Sequence, residues 1–120
     1  MTEIASGLIL DTPFGNEIPV RLITMQYAFN STVALVAVSD DHVREPVATI
    51  SCNIPDRAKS LRPGEFFCKD WSENEGMADW LEENKIATRT GRGEVAGFAF
   101  AEIMAFSPEI QAKILAGMNS

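Results

Sequence analysis

Apolar and polar positions follow one spacing through the first half of this chain and another in the second. Residues 4–10 form an apolar run that ends in Asp11-Thr12-Pro13-Phe14-Gly15-Asn16, a cluster of turn formers. Residues 18–27 read as the return strand, with Val20, Leu22 and Thr24 on one side and Arg21, Ile23 and Met25 on the other. Val33-Ala34-Leu35-Val36-Ala37-Val38 is apolar on both faces and suits a central strand. Ser39-Asp40-Asp41-His42 makes a turn. Residues 47–53 return, Val47, Thr49 and Ser51 alternating against Ala48, Ile50 and Cys52. Four such segments predict an antiparallel meander or a related small sheet.

After a polar break at residues 55–64, Glu65-Phe66-Phe67-Cys68-Lys69-Asp70 reads as a fifth strand. Ser72-Glu73-Asn74-Glu75 matches a capping box, Ser72 capping the amides ahead and Glu75 reaching back. Met77, Trp80 and Leu81 follow at helical spacing, with Glu75, Asp79, Glu82 and Glu83 pointing away. This predicts an amphipathic helix of about three turns, which Asn84 ends. Thr88-Arg89-Thr90-Gly91-Arg92-Gly93 reads as a loop, and residues 98–106 as a strand apolar on both faces. Ser107-Pro108 opens a last helix with Ile110, Ile114 and Met118 on one face. That helix is short for independent stability and must dock on the sheet or on another subunit. The expected fold class is α+β, a small mostly antiparallel β-sheet with two short helices in the C-terminal half.

The length of 120 residues fits a single domain, residues 1–120, with no repeat and no linker. At 46% hydrophobic and 22% charged, the composition excludes intrinsic disorder. No apolar run approaches membrane length, and no basic stretch leads into an apolar segment as in a signal peptide. The expectation is therefore a cytoplasmic protein whose Cys52 and Cys68 are free thiols. The net charge of −7 repels DNA and anionic membranes. Residues 70–83 hold six acids and no base, whereas residues 84–93 hold Lys85, Arg89 and Arg92 and no acid. Cations gathered in one glycine-containing loop of an acidic chain make a candidate anion site.

Catalytic chemistry finds little support. His42, the only histidine, sits in a turn and reads as solvated. Cys52 and Cys68, 16 apart, lack the spacing of a zinc site and read as buried thiols. The acidic run reads as a solvated helix face rather than a carboxylate pair for acid/base work. Gly91-Arg92-Gly93 is neither a phosphate loop nor a dinucleotide fingerprint. Its value is electrostatic: two arginines three apart, with glycines allowing close approach, grip phosphate bidentately. The plainer alternative is a surface loop whose cations favour the preceding helix C-terminus. Phe66, Phe67 and Trp71 read mostly as core, with one of them free to stack on a base.

One stretch carries a resemblance. Lys69-Asp70-Trp71-Ser72-Glu73-Asn74-Glu75-Gly76-Met77, followed by Trp80-Leu81, Lys85-Ile86 and Gly97-Phe98, resembles the pattern of the first family of Thoeris anti-defence signal sponges, small phage-encoded proteins. In that family Lys-Asp-Tyr/Trp-Ser-Glu-Asn-Glu-Gly leads into a short helix, a variable basic loop and a Gly-Phe/Tyr strand. The order of elements matches over residues 18–106, and the motif is specific over residues 65–98. Two departures stand out. Lys85 occupies a position where the family has glycine or a small residue, and the chain after Phe106 carries an additional helix.

The resemblance implies a protein that is not an enzyme and needs no cofactor or metal. It implies binding of a cyclic ADP-ribose isomer made by a TIR-domain enzyme, held uncut so that the downstream effector is not triggered. It also implies a homodimer or hexamer with pockets between subunits, some members taking up cyclic oligonucleotides, and action in the cytoplasm of the infected bacterial host. By position, Arg89 and Arg92 become phosphate clamps, Asn74 a ligand to ribose or base, and Phe67 or Trp71 the ring that stacks on adenine. Arg44 is a further candidate from the sheet half. The alternative is an acidic protein-binding inhibitor of another defence complex, a nucleic-acid mimic acting through residues 70–83. A third reading is a small enzyme acting on a nucleotide.

Overall fold

The computed structural model describes residues 2–11, 17–26, 33–41, 43–97 and 99–118. The expectations placed on residues 12–16, Tyr27, His42 and Phe98 lie outside the described residues. The fold is α+β, with the strands divided between two four-stranded antiparallel sheets rather than one. The first is the predicted meander of β1 (Thr2–Asp11), β2 (Glu17–Gln26), β3 (Val33–Ser39) and β4 (Pro46–Thr49), in that order. Val20, Leu22 and Thr24 of β2 are buried together, as their alternation required.

The expected strand at residues 47–53 is cut in two. Its first part pairs with β3, and its second part, β5 (Ser51–Cys52), pairs with β6 (Glu65–Cys68) in the second sheet. Ile50 is the junction: its N–H donates to Leu35 O (2.9 Å) in the first sheet, and its carbonyl accepts from Lys69 N–H (2.7 Å) beside the second. Buried Ser51 Oγ accepts from Leu35 N–H (2.8 Å) across the same seam. The chain thus leaves one ladder for the other at Ile50 without orphaning that residue's backbone groups.

The second sheet has the order β5-β6-β8-β7, with β7 (Ala87–Ala96) at its edge and β8 (Ala99–Phe106) inside. The cationic stretch expected to be a loop is therefore strand. Along β7, Arg89 to Gly93 spans four residues where β8 spans two, Met104 to Glu102. The surplus is taken up as a bulge with Gly91 at φ +84°, a conformation glycine adopts without a Cβ clash. The Gly and Thr content that reads as a loop is the bulge chemistry of an edge strand.

Helix α1 (Met77–Glu83) is shorter than expected and starts later. Ser72–Asn74 forms a separate 3-10 turn, and Ser72 makes no capping bond. Asp70 does that work instead. Its carboxylate accepts from Gly76 N–H (2.7 Å) and Ala78 N–H (2.9 Å), taking two otherwise unpaired donors at the helix start. The helix ends in a Schellman pattern: Lys85 N–H donates to Glu82 O (3.1 Å) and Ile86 N–H to Leu81 O (2.9 Å). Lys85 holds the left-handed position, φ +59°.

Helix α2 (Pro108–Met118) docks within the chain. Ile110 and Ile114 enter the core, and Lys113 Nζ donates to Ile4 O (3.2 Å), the residue skipped by a register shift in β1. One core joins both sheets and both helices: Leu22 and Leu35 from the first sheet, Phe66 and Met104 from the second, Leu81 and Ile110 from the helices. Phe66 and Phe106 stack tilted, with centroids 4.6 Å apart.

Candidate functional site

Alternation along β6 and β8 gives the second sheet two distinct faces. Phe66, Cys68, Met104 and Phe106 face the main core. Phe67, Ala101 and Ile103 face outward and form a second, smaller cluster with Cys52, Ile54, Leu61 and Trp71. The 3-10 segment Pro55–Ser60, flanked by Ile54 and Leu61 of that cluster, is strapped over the outer face.

The two arginines expected to act as one clamp lie on opposite faces. Arg89 stands opposite Met104 on the inner side, and its guanidinium is fully committed. Nε donates to Glu102 (2.9 Å), Nη2 to Asp79 (2.8 Å) and Nη1 to Glu82, while its backbone N–H donates to the other Glu82 oxygen (3.0 Å). The Asp79 hydrogen bond, with Glu102 and the Glu82 charge behind it, raises its pKa above the usual arginine value. Arg89 is thus a brace between α1, β7 and β8. Two acids of the expected solvated helix face, Asp79 and Glu82, are spent on it.

Arg92 points to the outer face. Nη1 donates to Ser60 O (3.0 Å) on the strap, and Nη2 pairs with Glu65, whose side chain is 8% exposed. Burial pushes the Glu65 carboxyl up. Bonds from the Arg62 N–H and the Arg92 guanidinium outweigh that and hold it below its ordinary value. Glu94 completes the strapping: it accepts from Ser60 Oγ (3.0 Å) and lies 3.8 Å from Arg57 Nε.

The other expected site residues divide the same way. Phe67 is buried on the outer face beneath the strap, and half-buried Trp71 packs in the same cluster. Asn74 is 3% exposed and donates from Nδ2 to Thr49 O (2.7 Å), so its amide ties the motif to β4 instead of facing a ligand. Arg44 is exposed in the turn after β3, at φ +54°, on the other sheet. The structure therefore joins Arg92, Phe67 and Trp71 and separates Arg89, Asn74 and Arg44 from them.

Three residues join that face unforeseen. Arg57, Lys59 and Arg62 are exposed cations on or beside the strap. Their signal was present in the chain, three bases within six residues and no acid among them, inside a stretch read only as a polar break. Cys52 and Cys68 cannot bridge: Cys52 stands opposite Phe67 and Cys68 opposite Ser51, which puts the two thiols on opposite faces. Burial pushes Cys52 up to about 11 and Cys68 higher still. Among the described residues no helix is long and apolar enough to cross a membrane, and no group of His, Cys, Asp and Glu is placed to hold a metal ion. No protein-family model, curated protein or solved structure matches the chain.

Proposed function

We propose that the protein binds and sequesters, without cleaving it, a cyclic ADP-ribose-type nucleotide made by a TIR-domain enzyme, and thereby blocks Thoeris immunity in the cytoplasm of an infected bacterium. The observation that carries this reading is the outer face of the second sheet. There Arg92, half-buried Trp71 and a group of exposed cations adjoin one apolar cluster in a chain of net charge −7. The resemblance of residues 65–98 supports it. The ligand would take hydrogen bonds from the cations at its phosphates and rest its base on the edge of Trp71. Arg89 and Asn74 serve the frame, holding α1 against β7 and the motif against β4. A sponge acts by slow release, so the affinity must be nanomolar, about −12 kcal/mol, to compete with a receptor. Closure of the site between subunits of a homodimer or hexamer would supply the water exclusion that an exposed cation face lacks.

The test is a release assay. The protein is incubated with the product of a Thoeris TIR-domain enzyme, free nucleotide is filtered away, and the retained material is analysed by mass spectrometry before and after denaturation. Intact nucleotide released only on denaturation is expected. Altered nucleotide would establish an enzyme, and nucleotide that passes straight through would end the sequestration reading.

A further inference from the structure

We infer that the open half of edge strand β7, residues 93–96, is a strand-pairing surface for a second copy of this chain, the two copies joining antiparallel about a two-fold axis at Gly93. The inference gives a surface to the homodimer named above, but it stands on the sheet edge and its test contains no nucleotide, so either reading can fail alone.

A sheet edge presents unpaired backbone groups that accept another strand, and proteins blunt such edges. Three of the four edges here are blunted. β1 carries two register shifts, β4 is four residues long and begins with Pro46, and β5 is two residues long. β7 is ten residues long and is engaged at its start, where the Arg89 N–H donates sideways to Glu82 of α1. Past the bulge the edge is open. Ala96 and Ala99 close the hairpin as a hydrogen-bonded pair, so the N–H and C=O groups of Gly93 and Val95 point away from β8. Among the described residues no hydrogen bond from another element takes them up.

Both faces of that stretch suit a copy of itself. Pairing about Gly93 sets Arg92 opposite Glu94 of the second copy, and Glu94 opposite its Arg92, two cross-strand ion pairs on the outer face. Arg92 spends two of its five N–H donors on Ser60 and Glu65, and Glu94 lies 3.8 Å from Arg57, a loose pair, so both have capacity left. The neighbouring registers are poorer: an axis at Glu94 opposes like charges, and an axis at Val95 sets Glu94 against Ala96. On the inner face, cross-strand partners Val95 and Phe100 are the two most exposed large apolar side chains among the described residues, at 67% and 58%. The Phe100 ring lies across Gly93, its Cζ 2.3 Å from the position a Cβ would take. Each copy thus brings a phenyl ring to the axis, and glycine at the axis lets the two backbones approach. One contact covers both rings and pairs the open edge.

The experiment is sedimentation equilibrium of the full chain, without nucleotide, from micromolar to millimolar concentration. Val95→Pro removes an edge N–H, and Phe100→Glu sets two carboxylates at the axis. Leu115→Glu makes the same apolar-to-acid change at an exposed position of α2. The unaltered chain is expected to show a monomer–dimer equilibrium. Its dissociation constant should rise at least tenfold in Val95→Pro and in Phe100→Glu and change less than twofold in Leu115→Glu. Amide hydrogen exchange gives the position: protection of the Gly93 and Val95 N–H should grow with protein concentration. A chain that stays monomeric throughout overturns the inference. So does a dimer that the edge variants leave intact, or one whose Gly93 and Val95 amides exchange at a rate independent of concentration. Should Phe100→Glu unfold, Val95→Pro carries the comparison, because Val95 is exposed and its N–H lies outside the ladder with β8.

Discussion

Lys85 holds a backbone conformation that strains any residue with a Cβ, and it does so at the point where the chain leaves α1. The Schellman bonds from Lys85 and Ile86 fix that geometry, so the strain is not relieved by relaxation. Lys85→Gly should raise stability by about 1 kcal/mol, read as an increase in melting temperature. An unchanged or lower value would mean that the lysine compensates elsewhere. Gly93 presents the opposite case. A Cβ at this position would stand 2.3 Å from the Phe100 ring and 2.6 Å from the Ala101 carbonyl. Phe100, though 58% exposed, is thus a cover for an edge-strand glycine. Gly93→Ala should cost roughly 1–3 kcal/mol by displacing the ring and the strand beneath it, measured by denaturant unfolding.

Elements were legible where hydrophobic alternation was strong and illegible where side chains replaced local rules. The meander of the first sheet follows from Val20, Leu22 and Thr24 and from the fully apolar β3. The capping box failed because Ser72–Asn74 closes a 3-10 turn of its own, and Asp70, two residues earlier, reaches over it to the helix amides. No spacing rule for local caps finds a cap six and eight residues away. Asp70→Ala should therefore cost about 1–2 kcal/mol while Ser72→Ala stays within about 0.5 kcal/mol, both by thermal melting. The reverse order would restore the capping box. The strap gives an element-scale pH effect. Its anchor Glu65 has a folded pKa below the ordinary carboxylate value. The stability this contributes is present above that ordinary value and is lost as pH falls through the depressed one. Glu65→Gln should cost roughly 1–3 kcal/mol at neutral pH and flatten the decline in melting temperature below pH 4.5. A variant that loses stability with acid as steeply as the unaltered chain would assign the acid sensitivity to other carboxylates.

At the scale of the whole molecule, the chain sorts its cations by face. Arg89 and Arg92, three apart in sequence, are parted by a bulge that only the pairing of β7 with β8 reveals. This is why two arginines that read as one clamp in the sequence stand apart, Arg89 among the acids of the inner side and Arg92 under the strap on the outer face. Cys52 gives that face its own reporter. It packs in the cluster that includes Ile54 and Leu61 at the two ends of the strap, and burial raises its thiol pKa to about 11. At pH 8 about one thiol in a thousand is then ionised, against roughly a quarter for an unperturbed cysteine. Native Cys52 should react with a disulfide reagent at least a hundredfold more slowly than in the denatured chain. Cys68, on the inner face and fully buried, should not react until the molecule unfolds. The measurement is made on Cys68→Ala, so that a single thiol is followed. Because Cys52 packs with Ile54 and Leu61 at the two ends of the strap, Arg92→Ala, which removes both the Ser60 bond and the Glu65 pair, should speed the reaction by an order of magnitude. An unchanged rate in that variant would mean that the thiol is reached without displacing the strap.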